Sequence, residues 1–262
     1  MPTIVLKLGG AICLDPSQVD AVAGEVKALQ AAGHQVVLVH GGGPQLDAAI
    51  ADLGEAAVKI DGLRVTSKAA AKVVLDVMDA IGKQLTSQLG AAGVKSHHVP
   101  GVAEGFQASV KRSDKGDLGR VGTVQRFTAQ HRIHGAAELA VVTPVGFDAQ
   151  GPLNINADEG AASVATALRA KWLILGTDVA AVRGAEGEPL SRLTPRSARK
   201  LIQENTAVGG MIPKLTSAVN ALSGGVSKVI VTKVQPGLLV DAILRGKVQG
   251  TLVENDAVMG LA

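Results

Sequence analysis

The sequence is nearly devoid of aromatic residues. It has no tyrosine, three phenylalanines and the single Trp172, together 2% of 262 positions. A core must therefore be built from Val, Leu, Ile and Ala, and stacking of bases on aromatic platforms is disfavoured as a means of binding single-stranded nucleic acid. Cysteine is equally scarce: Cys13 stands alone. Neither an intrachain disulfide nor a cysteine zinc cluster can form, and a reducing cytoplasm is the expected compartment. No stretch reaches the 18 or so apolar residues of a membrane span, and Met1-Pro2-Thr3-Ile4 does not open a signal peptide, so no membrane association is expected. An excess of one charge is also missing. Lys plus Arg number 26 against 23 Asp plus Glu, a net +3, which is too little to argue for a nucleic-acid partner but compatible with a small anionic ligand.

Several nucleotide signatures are absent as well. Gly82-Lys83 is followed by Gln84 and Gly246-Lys247 by Val248, so there is no P-loop, and no G-x-G-x-x-G marks a dinucleotide fold. Without a His-Arg-Asp loop or Asp-Phe-Gly, a protein kinase is excluded. His97-His98 and His131-x-x-His134 lack companion Cys or a Glu at zincin spacing and read as surface histidines, with no protein-held metal.

What is present is a globular composition, 47% hydrophobic and 19% charged, organised around two apolar runs that each end in glycines. These are Ile4-Val5-Leu6-Lys7-Leu8-Gly9-Gly10 and Val36-Val37-Leu38-Val39-His40-Gly41-Gly42-Gly43. Each reads as a buried strand and is followed by helical spacing, the pattern of a parallel α/β sheet. Ligands bind at the carboxyl edge of such sheets, where glycines let an anion approach backbone N–H groups. Lys7 adds a cation there, and an unpartnered ammonium inside an apolar strand is costly. A lysine snorkelling to solvent is the plain alternative.

Helices are expected over Pro16 to Ala32 behind an Asp15 cap, Pro44 to Leu53, Ser67 to about Leu89, Asp158 to about Leu168, Pro195 to Gln203, Met211 to Leu222 and Leu238 to Leu244. Asp61-Gly62 predicts a hairpin that carries Arg64, a residue suited to bidentate capture of a carboxylate. A second hairpin is expected around Asp114-Lys115-Gly116-Asp117; its basic residues, Arg120 among them, read as solvated. Further strands are expected at Leu139 to Thr143, Trp172 to Leu175, Val229 to Val231 and Thr251 to Val253, with a turn rich in Gly and Pro after Thr143. A boundary near Arg169 divides the chain into lobes 1–169 and 170–262. Asn154, Asn156 and Asp158 are candidate helix caps as well as site residues.

Lys7-Leu8-Gly9-Gly10, His40-Gly41-Gly42-Gly43-Pro44, Gly62-Leu63-Arg64-Val65-Thr66, Asn154-Ile155-Asn156-Ala157-Asp158 and Gly209-Gly210-Met211-Ile212-Pro213-Lys214 occur in an order that resembles the N-acetylglutamate kinases of the amino acid kinase family. The resemblance runs from the first strand to about Thr251. It implies an open, mostly parallel sheet between helices, with the acyl-amino acid on the first lobe and ATP with Mg²⁺ on the second. It gives catalytic roles to Lys7, Asp158 and Lys214, with Asp158 holding the two lysines in place, substrate contacts to Gly42, Gly43, Arg64 and Asn154, and phosphate contacts to Gly9, Gly10, Gly41 and Gly42. Thr177, Asp178, Gly210, Met211 and Lys214 fall on the nucleotide side. The sequence departs from the family pattern at Ala180-Ala181, where Pro-Gly is common, and at Gly176, where a bulkier apolar residue is usual.

The implied reaction is phosphorylation of the substrate γ-carboxylate, serving arginine biosynthesis. A kinase for acetylated or carrier-linked aminoadipate, or a non-catalytic sensor of the same fold, are the alternatives. Arginine-inhibited relatives carry a helix before the first strand, whereas here only Met1 and Pro2 precede it. The expectation is a homodimer, insensitive to arginine, paired through the apolar stripe Val73, Val74, Val77, Met78 and Ile81.

Overall fold

The computed structural model describes residues 1–102, 105–133 and 138–256. Strand β1 (Thr3–Leu8) is buried along its whole length and lies between β2 (Gln35–His40) and a later strand. Helix α1 (Pro16–Ala31) connects them, its first N–H groups accepted by the Asp15 carboxylate with Pro16 at the first turn. After β2 come α2 (Gly43–Asp52), the hairpin β3 (Lys59–Ile60) and β4 (Leu63–Arg64), and α3 (Lys68–Ala91), whose Ser67 cap accepts the Ala70 N–H. At the turn, Asp61 and Gly62 both have positive φ, 48° and 77°, as a two-residue hairpin of the right twist requires.

Next follow β5 (Ser96–Val99), β6 (Phe106–Val110), β7 (Val121–Phe127), β8 (Leu139–Val142), β9 (Val145–Asp148), β10 (Gly151–Ile155) and α4 (Ala157–Ala167). The remainder comprises β11 (Trp172–Thr177), β12 (Val182–Arg183), β13 (Pro189–Leu190), β14 (Arg192–Leu193), α5 (Pro195–Gln203), α6 (Met211–Ser223), β15 (Lys228–Lys233), α7 (Leu238–Leu244) and β16 (Thr251–Val253).

Among the described residues the main sheet has eight strands in the order β14-β16-β15-β11-β1-β2-β8-β5. All neighbours are parallel except β15 and β16. The sheet runs unbroken across Arg169, which turns between α4 and β11 at φ 49°. Beside it, β10, β7, β6 and β9 close into a small barrel. The Gly- and Pro-rich stretch after Thr143 is therefore the β9–β10 hairpin, a short pairing whose turn residues mask its strands in the sequence. Strand β5 was likewise not expected, since Ser96-His97-His98 carries no apolar run.

Two cores sit on opposite faces of the sheet. Ile4, Leu6 and Leu8 pack with residues of α1, α3 and α7, while Val5, Val37 and Val39 pack with residues of α4 and α6. Each fully buried Leu or Ile stabilises by about 2 kcal/mol. The two-residue period of β1 thus puts Lys7 on the α4 and α6 face, and that of β2 puts His40 on the α3 face. Val74, Met78 and Ile81 of the α3 stripe are spent on this core, which leaves Val73 and Val77 half-buried. Arg120 departs from the solvated reading: it is buried and donates to both Asp148 oxygens at 2.9 and 2.7 Å. A fork matched to a carboxylate is what makes that burial tolerable.

Candidate active site

Lys7, Gly9, Gly10, Gly41, Gly42, Gly43, Arg64, Asn154 and Asp158 line one crevice of about 240 Å³ at the carboxyl edge of β1 and β2. The two glycine turns are in backbone contact. A Cβ on Gly10 would lie 2.7 Å from the Gly43 nitrogen and 2.8 Å from the Gly42 Cα, so any larger residue would push the turns apart.

Asp158 sits in the first turn of α4, buried, with an ammonium against each oxygen. Lys214 Nζ donates to Oδ2 at 2.9 Å, and Lys7 Nζ stands 3.0 Å from Oδ1, an ion pair without the alignment of a hydrogen bond. Lys7 also reaches the Gly176 carbonyl at 3.4 Å. Burial pushes the Asp158 carboxyl up, but the two lysines outweigh it and hold the group below the usual carboxylate range. Burial draws Lys214 below the ordinary lysine range, with Asp158 opposing. The cost of burying Lys7 is thus met by an anion 151 positions away in the chain.

The capping question at Asn154, Asn156 and Asp158 is resolved one residue at a time. Asn156 is the N-cap, accepting from the Asp158 and Glu159 N–H groups. Asn154 instead donates to Thr66 Oγ1 at 2.9 Å, and Thr66 donates to the Arg64 carbonyl at 2.9 Å. Arg64 is buried, donates to Asp47 on α2 and reaches the Gly43 carbonyl at 3.0 Å. Thr66 closes the Gly62-to-Thr66 motif but has no role assigned from the sequence, and Asp47 is not expected there; a carboxylate four residues beyond Gly43 on a helix is its one sequence signal.

The hairpin tip packs against the turn that precedes α6. A Cβ on Gly62 would lie 2.6 Å from the Gly209 carbonyl oxygen and 2.9 Å from the Gly210 Cα. Gly210 caps α6, which presents Lys214. Thr177, Asp178, Gly210, Met211 and Lys214 are not among the residues lining this crevice; Lys214 meets it through Asp158. Asp178 is nevertheless near enough to be influenced by Lys214 and Lys7, its carboxyl held low chiefly by the Thr177 hydroxyl. At Gly176, where the family pattern has a bulkier residue, a Cβ would lie 2.6 Å from the Lys7 carbonyl oxygen, so this backbone leaves no room for a side chain.

Of the histidines read as surface groups, His131 is exposed and His97 and His98 are partly buried, His98 against Thr143 Oγ1, while His134 lies outside the described residues; His40, at the end of β2, is fully buried against the same hydroxyl. Among the described residues no group of three His, Cys, Asp or Glu could hold a metal. A larger groove of about 680 Å³ runs beside the crevice between β7, α4 and α6. Its Lys111 is already paired with Glu159 at 2.7 Å, and Lys7, Asp158 and Lys214 do not line it.

Two lysines share one buried carboxylate beside a glycine-lined crevice at the sheet edge, an arrangement with the cations that group transfer between anions requires. The description "Amino acid kinase family" matches residues 2–233, and the chain belongs to that family. It is 35% identical over 259 residues to the acetylglutamate kinase of Halalkalibacterium halodurans, covering 97% of both chains, and 33% identical to that of Psychrobacter arcticus, covering 97% of this chain and 88% of the relative. Among solved structures, smu.665 from Streptococcus mutans superposes with a TM-score of 0.78 at 30% identity, over 97% of this chain and 99% of that one. Carbamate kinase from Giardia lamblia bound to AMP-PNP shares the fold, with a TM-score of 0.74 at 18% identity over 97% and 99% of the chains.

Proposed function

We propose that this protein is an acetylglutamate kinase, which transfers the γ-phosphoryl group of ATP to the γ-carboxylate of N-acetyl-L-glutamate and so forms N-acetylglutamyl 5-phosphate for arginine biosynthesis. The observation that carries the reading is Asp158 held between Lys7 and Lys214. The names of the relatives point the same way.

A γ-carboxylate with a pKa near ~4.3 is already ionised at neutral pH, so the reaction needs no general base. None is offered. Among the described residues lining the crevice, Asp158 is the one carboxylate, and both its oxygens face lysines. Catalysis must instead overcome repulsion between two anions and stabilise charge on the transferring oxygens. In this assignment Lys7 and Lys214 supply the cations, Asp158 orients them, and the Gly10 and Gly42 N–H groups act as fixed donors. Arg64 takes the α-carboxylate of the substrate and Asn154 also contacts it. Gly9, Gly41 and Gly43 shape the anion cradle, while Thr177, Asp178, Gly210 and Met211 flank the nucleotide. With Asp158 committed to the lysines, the described residues of the crevice leave no carboxylate to hold a cation, so a Mg²⁺ would enter with the nucleotide and would neutralise part of the phosphate charge.

We assign the acyl-amino acid to residues 1–169 and ATP to residues 170–262, in a homodimer of the cytoplasm. Among the described residues no helix is long and apolar enough to cross a membrane. An ATP-dependent hydroxamate assay with acetylglutamate, acetylaminoadipate, aspartate and glutamate tests the reading. Acetylglutamate is expected to be preferred. A preference for acetylaminoadipate would move the protein to the aminoadipate kinases, and no turnover at all would leave a ligand sensor.

A further inference from the structure

The carboxyl ends of three neighbouring strands are joined by hydrogen bonds that the transfer chemistry above does not use. His40 ends β2, Thr143 follows β8 and His98 lies in β5, and these strands adjoin in that order. Thr143 Oγ1 is 2.9 Å from His40 Nε2 and 2.8 Å from His98 Nε2, while His40 Nδ1 is 3.3 Å from the Gly41 carbonyl oxygen. His40 and Thr143 are wholly buried. Gly82, in the middle of α3, makes room for them: a Cβ there would stand 2.4 Å from His98 Nε2 and 2.6 Å from Thr143 Oγ1. Glycine inside a helix is less favourable than alanine, so the helix gives up intrinsic stability at the point where the network passes.

Elementary donor and acceptor rules give the network a direction. A carbonyl oxygen only accepts, so His40 Nδ1 carries the hydrogen. Burial lowers the His40 pKa to about 4, which keeps the ring neutral and leaves Nε2 bare to accept the Thr143 hydroxyl hydrogen. That hydroxyl has then no hydrogen left to give and must accept from His98, whose hydrogen is therefore on Nε2. Asp79 Oδ1, 3.9 Å from His98 Nε2, favours a hydrogen at that nitrogen, and Lys83 binds Asp79 at 2.7 Å on the outer side.

We propose that the relay from His98 through Thr143 and His40 to the Gly41 carbonyl positions the Gly42 N–H as a donor in the crevice. A trans peptide is planar, so its C=O and N–H point in opposite directions. Holding the Gly41 oxygen on His40 turns the Gly42 N–H away from that ring, toward the space that Gly41, Gly42 and Gly43 line. A donor fixed before the anion arrives costs no reorganisation during transfer. His40, Thr143 and His98 are positioning residues. The inference rests on the carboxylate kinase reading for what the N–H does, but not for how the relay is built.

Two measurements test it. Long-range ¹H–¹⁵N spectra of the histidine-labelled wild-type protein at neutral pH are expected to show His40 with its hydrogen on Nδ1 and His98 with its hydrogen on Nε2. His40 found with Nε2–H, or doubly protonated, overturns the relay. In kinetics, Thr143→Val removes the hydroxyl with nearly the same shape and is expected to lower kcat 10- to 100-fold, with KM for ATP within threefold. Thr143→Ser, which keeps the hydroxyl, is expected to stay within threefold of wild type on both. A Thr143→Val enzyme with wild-type kcat, or a Thr143→Ser enzyme as impaired as Thr143→Val, overturns the positioning role alone. If Thr143→Val does not fold, the wild-type tautomers still decide. A wild-type protein that turns over none of the four carboxylates defeats the kinase reading and the donor role with it.

Discussion

Replacing Asp158 by Asn keeps the shape of the side chain and removes the charge between Lys7 and Lys214. At an effective dielectric of about 20, opposite unit charges about 3 Å apart attract by roughly 5.5 kcal/mol. Asp158 has two such partners, at 3.0 and 2.9 Å. Desolvation of the three groups and repulsion between the ammoniums offset much of that sum, and removing one member of a buried ionic cluster typically costs about 3–5 kcal/mol. Unfolding entropy of about 2.1 cal/mol/K per residue amounts to roughly 0.55 kcal/mol/K for a chain of this length, so a loss of about 4 kcal/mol lowers Tm by about 7 °C. Lys214 should also lose its proton more easily, since Asp158 is what opposes the effect of burial on it. The alkaline limb of the pH–rate profile should therefore move to lower pH, with kcat down about 100-fold or more. Bound anions should restore part of the missing charge, so that ADP raises the Tm of the variant more than that of wild type at equal saturation. Scanning calorimetry with and without ADP and initial rates across pH make the comparison. An Asp158→Asn protein that melts within about 2 °C of wild type, or turns over within about threefold of it, would refute the idea that one carboxylate holds both cations in place.

Lys7→Ala and Lys214→Ala are each expected to lower kcat about 10²- to 10³-fold with little change in KM for acetylglutamate, because their charge acts mainly on the transition state; steady-state kinetics at saturating ATP will show whether it does. Arg64→Lys should chiefly raise KM for the acyl-amino acid, since an ammonium cannot form a planar fork, and a rise confined to KM for ATP would move Arg64 to the nucleotide side. The His40 pKa, lowered to about 4 from an ordinary 6.5, makes the unfolded chain bind a proton that the folded one excludes. Stability should accordingly fall as pH drops through that window and level off below it, by about 3 kcal/mol from this group, and urea midpoints of His40→Gln should fall less. Light scattering of the purified protein is expected to give twice the chain mass, and a monomer at micromolar concentration would dismiss the dimer.

Much of the scaffold could be read because local chemistry and global fold agree. Asp15-Pro16 and Ser67 begin helices where capping rules put them, and Asp61-Gly62 makes the turn that two positive φ values demand. Lys7 could be flagged because an apolar strand does not bear a charge without a partner. Its partner could not be found the same way, since no spacing rule links residue 7 to residue 158. The short strands β9 and β10 were hidden for another reason, as Gly146, Gly151 and Pro152 outweigh their few apolar positions. Arg120 looked solvated until Asp148, on a strand not foreseen, lay opposite it.

The sequence by itself determined the alternation of strand and helix, the glycine turns at the strand ends and the cation in the first strand. Each of these depends on residues within a few positions of one another. Only the tertiary structure decided that Asn156, and not Asn154 or Asp158, caps α4, that Asp47 holds Arg64, that Gly62 rests on Gly209, and that His98 reaches the Gly41 carbonyl through Thr143 and His40. Parallel pairing requires a crossover between strands, so residues that meet at the carboxyl edge come from distant parts of the chain, and their meeting is a property of the sheet order rather than of any local pattern.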